Sequence, residues 1–282
     1  MKLRTAPALD GIQWARSGWQ LVRRQAMAQM AMVTLMTAGL ILVSLLPWVG
    51  TQLALVLVPA LNAGWVFSSA TVQAGGRTSF ARLLAPLAPA RRPAMVQLGL
   101  YYMVACMLVL WLGQLVLPGL DNLPEMPVTP PDPSDPGAAA AAQAASMAAM
   151  ADMLARYALL IPVNLLFWHA PVIVHRIGGS AARALFASAL ASWRNLSAFA
   201  VYGAAWAVSA VLLVATMLLI SAAIREPAVI GLVAFLVAPF FSAAFYASMH
   251  ASVHGCIEFD EIARAAAQAA AAAPAPAPDP DA

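Results

Sequence analysis

Residues 25–76 contain no Asp, Glu, Lys or Arg, and this one feature decides the solvent in which the chain must fold. A soluble domain could not cover such a run, whereas about 20 apolar residues already cross the hydrocarbon of a bilayer. The run is too long for a single crossing. It is divided by Pro47-Trp48-Val49-Gly50, a turn signal beside a Trp suited to the membrane interface. A helical hairpin is therefore expected over 27–46 and 52–73. Further windows of the same kind cover 95–117, 156–175, 197–222 and 228–250. Lipid offers no partner for exposed backbone groups, so each window must be a helix. The fold class that follows is an all-α polytopic membrane protein with six transmembrane helices. Charged residues make up only 10% of the chain, against roughly 25% in soluble domains, which agrees with lipid as solvent.

Lys and Arg set orientation. Lys2, Arg4, Arg16, Arg23 and Arg24 precede the first span; Arg77, Arg82, Arg91 and Arg92 lie between the second and third. Arg176, Arg183 and Arg194 lie between the fourth and fifth, and Arg264 is in the tail. The other side holds Arg156 and Arg225. Thirteen against two predicts cytoplasmic N- and C-termini in a bacterial inner membrane, with 118–154 as an external loop. That loop carries Asp121, Glu125, Asp132, Asp135 and Asp152. Within it Asp135-Pro136 reads as the cap and first residue of an Ala-rich helix running toward the fourth span. The domain plan is a cytoplasmic segment 1–26, a membrane domain 27–262 and a low-complexity tail 263–282. The first apolar run leads almost directly into a second, which fits a retained span better than a cleaved signal. The basic residues are dispersed as topology determinants, so no nucleic-acid partner is expected.

Three spans share a spacing. Pro59, Pro162 and Pro239 are each followed sixteen residues later by Gly75, Gly178 and Gly255, and the seventh column holds Trp65, Trp168 and Phe245. An amphipathic segment precedes each hairpin. At 100° per residue, segment 12–24 puts Trp14, Ala15, Gly18, Trp19, Leu21 and Val22 on one half of the cylinder. Gln13, Arg16, Ser17, Gln20, Arg23 and Arg24 take the other. Segment 180–195 repeats the scheme with Leu185, Phe186, Ala189, Leu190 and Trp193, and 78–85 is a shorter version. These are expected to lie on the cytoplasmic leaflet, aromatic rings inward and Arg toward headgroups. The six spans thus read as three repeated units of interfacial amphipathic helix plus hairpin.

Trp14-x3-Gly18-Trp19, Leu45-Leu46-Pro47-Trp48-Val49-Gly50, Pro59-x4-Gly64 and Ser188-x3-Ser192-Trp193-Arg194-Asn195 carry a resemblance. On these motifs the chain resembles an uncharacterised family of six-span inner-membrane proteins of Gram-negative bacteria. More distantly it is similar to the membrane region attached to some glycerophosphodiester phosphodiesterases, without their catalytic domain. The resemblance implies the six-span fold and brings no activity, cofactor or site residue.

No window contains an interior Asp, Glu, Lys or Arg, which argues against a proton-driven pump. There is no phosphate loop, nucleophile elbow or zinc-ligand cysteine pairing, so no catalytic residue, cofactor or enzyme activity is expected. Cys106 and Cys256 fall at different membrane depths and give no disulfide framework. Two constellations stand out. Asn62 and Asn164, near mid-depth beside repeat prolines, either hydrogen-bond between helices or line a small polar cavity. His250, His254 and Cys256, with His175 at equivalent depth, are either metal candidates or an interfacial polar cap. Two functions follow: a non-enzymatic scaffold, assembly or envelope factor, or alternatively a carrier for an apolar or lipid-like small molecule. A filled bundle would favour the first and a cavity lined by the two asparagines the second. Expected partners are membrane lipids, other membrane proteins or a second copy.

The charge asymmetry predicts that alkaline phosphatase fused after Pro136 is active, and inactive when fused after Arg183 or Ala273. Activity at Arg183 would overturn the orientation.

Overall fold

The tight reversal at Trp48 sets the first hairpin. Trp48 adopts a left-handed φ of 71° and is 92% exposed. Gly50 follows because a side chain there would collide with the carbonyls of Val43 and Ser44. A computed structural model describes residues 1–117, 136–224 and 226–260. Strand β1 (Lys2–Leu3) leads into α1 (Asp10–Arg24), α2 (Ala26–Ser44), α3 (Gly50–Gln73) and the short α4 (Phe80–Leu83). A 3-10 turn (Ala85–Leu87) then precedes α5 (Arg92–Val116). The chain continues through α6 (Pro136–Leu159), α7 (Ile161–Phe167), α8 (Ala170–Ile177), α9 (Ala181–Arg194), α10 (Leu196–Ile224), α11 (Pro227–Cys256) and β2 (Ile257–Glu258).

Six segments among the described residues are long and apolar enough to cross a membrane: Ala26–Ser44, Gly50–Gln73, Arg92–Val116, Ala140–Ile177, Leu196–Ile224 and Ala228–Cys256. The fourth departs from its expected bounds of 156–175. The Ala-rich helix expected at the end of the loop 118–154 is α6, which feeds directly into the crossing; Asp135, its expected cap, lies outside the described residues. The crossing is broken twice, at Leu160 and at Trp168–His169, and each time a proline stands in the first turn of the next piece. Proline lacks the N–H that would continue the ladder and crowds the preceding turn. Of the three repeat prolines, Pro162 sits at such a break, while Pro59 and Pro239 lie within helices that continue through them. The repeat glycines also diverge. Gly75 and Gly178 take φ of 81° and 80° and stop their helices, whereas Gly255 remains helical. A side chain at Gly255 would strike the indole of Trp14.

The segment α1 corrects a reading from sequence. Its aromatic arc faces protein instead of the leaflet. Trp14 is 4% exposed and meets Phe199 edge-on, ring centres 5.5 Å apart. Trp19 packs on Trp206, Phe240 and Phe241 with ring centres 5.4, 5.9 and 5.7 Å away. Glycine permits this approach: a side chain at Gly11 would collide with the Ala198 carbonyl on α10, and one at Gly18 with the Ala244 carbonyl on α11. Close backbone contact of this kind is how helices associate where lipid removes the hydrophobic drive. The helix α9 behaves oppositely. It buries a stripe of small residues, Ala181, Ala184, Ser188, Ala191 and Ser192, and leaves Phe186 and Trp193 72% and 77% exposed. Two sequence-similar segments therefore have different neighbours, one protein and one open.

Both ends of the described chain are tied together. β1 and β2 pair antiparallel, Lys2 opposite Glu258 and Leu3 opposite Ile257, and the Arg4 amide donates to the Cys256 carbonyl at 2.8 Å. Fully buried Asn195 holds the next residues: its Oδ1 accepts from the Ala6 amide at 2.6 Å and its Nδ2 donates to the Arg4 carbonyl at 2.9 Å. Residues 2–6 and 257–258 consequently lie on one side of the membrane, here named the terminal side, as an even span count requires. The core sits there too. On α10 the buried residues are Ala198, Phe199, Tyr202 and Trp206, while Val208, Val211, Leu212, Leu218 and Leu219 farther along are exposed to lipid.

Gly18→Leu should lower thermal stability in detergent by about 1–3 kcal/mol or more, the usual cost of overpacking. Gly39→Ala, where a side chain meets nothing within 4 Å, should leave it unchanged or slightly raised. Equal effects would show that α1 is not seated through Gly18.

Candidate functional site

The broken fourth crossing leaves space. Between α3, α5, α7, α10 and α11 lies a cavity of about 670 Å³, within the range of small-molecule sites. Val58, Pro59 and Asn62 of α3 and Tyr102 of α5 form one wall. Ile161, Asn164, Leu165 and Phe167 of α7, with Trp168 after it, form another. Leu196, Phe199, Ala200, Tyr202 and Gly203 of α10 and Phe245, Tyr246 and Met249 of α11 complete it. Asn62 and Asn164, the two intramembrane asparagines singled out by sequence, both line this space.

Their states differ. The Tyr102 hydroxyl donates to Asn164 Oδ1 at 3.0 Å, and Asn164 Nδ2 donates to the Leu160 carbonyl at 3.0 Å, the carbonyl at the helix break. Asn164 is thus pinned as local repair of the backbone. Asn62 is half-buried and makes no side-chain hydrogen bond among the described residues. An amide in that position has two donors and an acceptor to offer. Two other polar pairs nearby are occupied: Tyr202 OH and Ser248 Oγ are 2.6 Å apart, and Trp168 Nε1 donates to Ser252 Oγ at 2.8 Å.

Aromatic rings make a large part of the lining. Tyr102 meets Phe167 edge-on at 5.2 Å and Trp168 meets Phe199 at 5.5 Å. Of the equally spaced aromatic residues, Trp168 and Phe245 line the same space 6.3 Å apart, and Trp65 lies behind it, stacked on Tyr246 at 5.3 Å. Tyr102 and Tyr202 were not singled out by sequence. Their signal was available, since Tyr is favoured at the interfaces and these two fall well inside spans. Among the described residues no Asp, Glu, Lys, Arg or His lines the cavity.

The histidine cluster is arranged otherwise than a metal centre needs. His250 and His254 rings are 4.4 Å apart and edge-on, but His175 lies against Phe67 at 4.5 Å. Among the described residues no three His, Cys, Asp or Glu groups are placed to hold a metal ion. After Cys256 the chain enters β2 and pairs with β1. Arg176 spreads over Phe67 and Phe259 at 5.7 and 5.2 Å, so aromatic rings occupy this corner. His169 is a further fully buried polar group; its backbone N–H donates to Ser188 Oγ at 3.0 Å.

Six apolar crossings and a nearly all-helical chain define a multi-pass α-helical membrane protein. The chain is similar to a protein of Burkholderia thailandensis described as a probable inner membrane protein, 28% identical over 209 residues, which cover 73% of this chain and 75% of the relative. No family model matches the chain. No solved structure matches it either. The relative and the six helices together make this a multi-pass inner-membrane protein.

Tyr102→Phe should release Asn164 Oδ1 and lower stability in detergent by roughly 0.6 kcal/mol, the average for such a bond in a membrane protein. A loss near zero would mean that the asparagine finds a replacement partner, and thermal unfolding of both forms decides it.

Proposed function

We propose that this protein binds an apolar, lipid-like small molecule in the cavity between its hairpins and serves as a carrier for it, without catalysing a reaction. One observation carries the reading: a space of about 670 Å³ walled by aromatic rings and holding Asn62 with an unused amide. A scaffold acting through helix packing has no use for such a void, because each unfilled volume in a packed interior lowers stability. The polar edge of the cavity is sparse and the walls are apolar, the usual composition of a site that orients a ligand by a few contacts. The Arg asymmetry supports a cytoplasmic terminal side, an orientation in which the cavity opens toward the cytoplasmic leaflet.

Lipids and small molecules retained by the purified protein should differ from bulk membrane extract, with one class enriched. Leu165→Trp, which fills the cavity from α7, should reduce that enrichment while the variant still folds. If the retained molecules match the bulk membrane in both forms, the carrier reading falls and the scaffold reading takes its place.

A further inference from the structure

The lining of the cavity is unequally exposed. Pro59, Phe167, Phe199, Tyr202 and Met249 are buried, whereas Ile161 on α7 and Leu196, Ala200 and Gly203 on α10 are exposed. Exposure of lining residues marks the mouth, which therefore lies between the fourth and fifth crossings. Around Gly203 the space is open: a side chain there meets nothing within 4 Å. These residues belong to membrane-crossing helices, so the mouth faces lipid. Toward the terminal side the route is closed by stacked side chains. Trp168 is tied to Ser252, Phe199 lies against Trp14, and Trp14 in turn fills the notch at Gly255.

The chemistry of the interior restricts what can enter. A charged head inside would face no counter-charge, since among the described residues no Asp, Glu, Lys, Arg or His lines the space, and an unpaired charge in a low-dielectric interior is costly. A pure hydrocarbon would leave the Asn62 amide unsatisfied, which also costs free energy. The molecule that meets both conditions has an uncharged head with a hydroxyl or carbonyl oxygen and an apolar tail.

Building on the carrier reading, we propose that the cavity takes an uncharged, oxygen-headed amphiphile laterally from the bilayer, through the gap between α7 and α10, with its head oxygen on Asn62. The tail lies among Phe167, Phe199 and Phe245 and leaves past Gly203. Trp193, exposed three residues before the start of the mouth at Leu196, stands at the level where its ring can anchor this edge in the interface.

The experiment uses the full chain in nanodiscs and a hexadecanol carrying a mid-chain diazirine, with the sulfate ester of the same alcohol as the charged counterpart. Labelled peptides are mapped by mass spectrometry. The alcohol should label the 161–168 and 199–203 segments and Met249, and the sulfate should label these at least about tenfold less, as expected for a charge at membrane depth. Both should label the lipid-facing stretch 208–219 alike. Gly203→Trp should block cavity labelling by the alcohol. Gly231→Trp, at another glycine with nothing within 4 Å, should not, and Gly203→Ala controls for folding. Asn62→Leu should lower cavity labelling by the alcohol about three- to tenfold, the range of one hydrogen bond. If neither reagent labels the cavity, the carrier reading itself fails. If both label it equally, or if Gly203→Trp or Asn62→Leu changes nothing, the lateral entry and neutral-head assignment fail while the carrier reading survives.

Discussion

The seating of α1 on α10 and α11 organises the terminal half of the molecule. In lipid, two helices gain little from burying apolar faces against each other, so contact must come from close packing and directional bonds. Gly11 and Gly18 let the backbone of α1 approach the carbonyls of Ala198 and Ala244, and between them Trp14 and Trp19 enter the aromatic layer. The same device recurs elsewhere. Gly64 accepts the backbone of Leu83, which fixes α4 on α3, and Gly99 approaches the carbonyl of Val56, which fixes α5 on α3. Each contact would be lost with one added side chain.

That layer has a consequence for the cavity. With α1 wedged against their terminal ends, α10 and α11 are held together there, and Phe199, Tyr202 and Trp206 are buried. Farther along, α10 has no buried residue and stands free in lipid. The fourth crossing, broken at Pro162 and Pro171, supplies short α7 where a straight helix would otherwise fill the gap. Space therefore remains between a rigid base and diverging walls. Asn195 and the β1–β2 pair lock the base by tying residues 2–6 to the ends of α9 and α11.

Much of the candidate site was legible, in pieces. Asn62 and Asn164 could be named because polar residues among apolar ones at mid-span are costly unless used. The aromatic column Trp65, Trp168 and Phe245 could be named from its spacing. What could not be read was which members share a space. Asn164 turned out to be occupied by Tyr102 and the Leu160 carbonyl, while Asn62 stayed open, and that difference depends on a partner 62 residues away on α5 and on the break before α7. The histidines illustrate the reverse case. Spacing correctly put His250 beside His254, but the direction of the chain after Cys256 depends on strand pairing with Lys2–Leu3, which no local pattern announces.

Sequence by itself determined the solvent, the helical class and the number of crossings. Charge-free runs of sufficient length have one stable form in lipid, because every backbone group must be satisfied within its own segment. It also marked where two helices stop, at the left-handed Gly75 and Gly178, since glycine takes that conformation without steric cost. The tertiary structure alone decided the neighbours of the amphipathic helices. The arcs of α1 and α9 are alike in pattern, and amphipathicity says only that a face needs an apolar surrounding. Whether lipid or protein provides it depends on a complementary surface elsewhere in the chain. For α1 that surface exists in the carbonyl-lined grooves of α10 and α11; for Phe186 and Trp193 of α9 it does not, and they are left exposed.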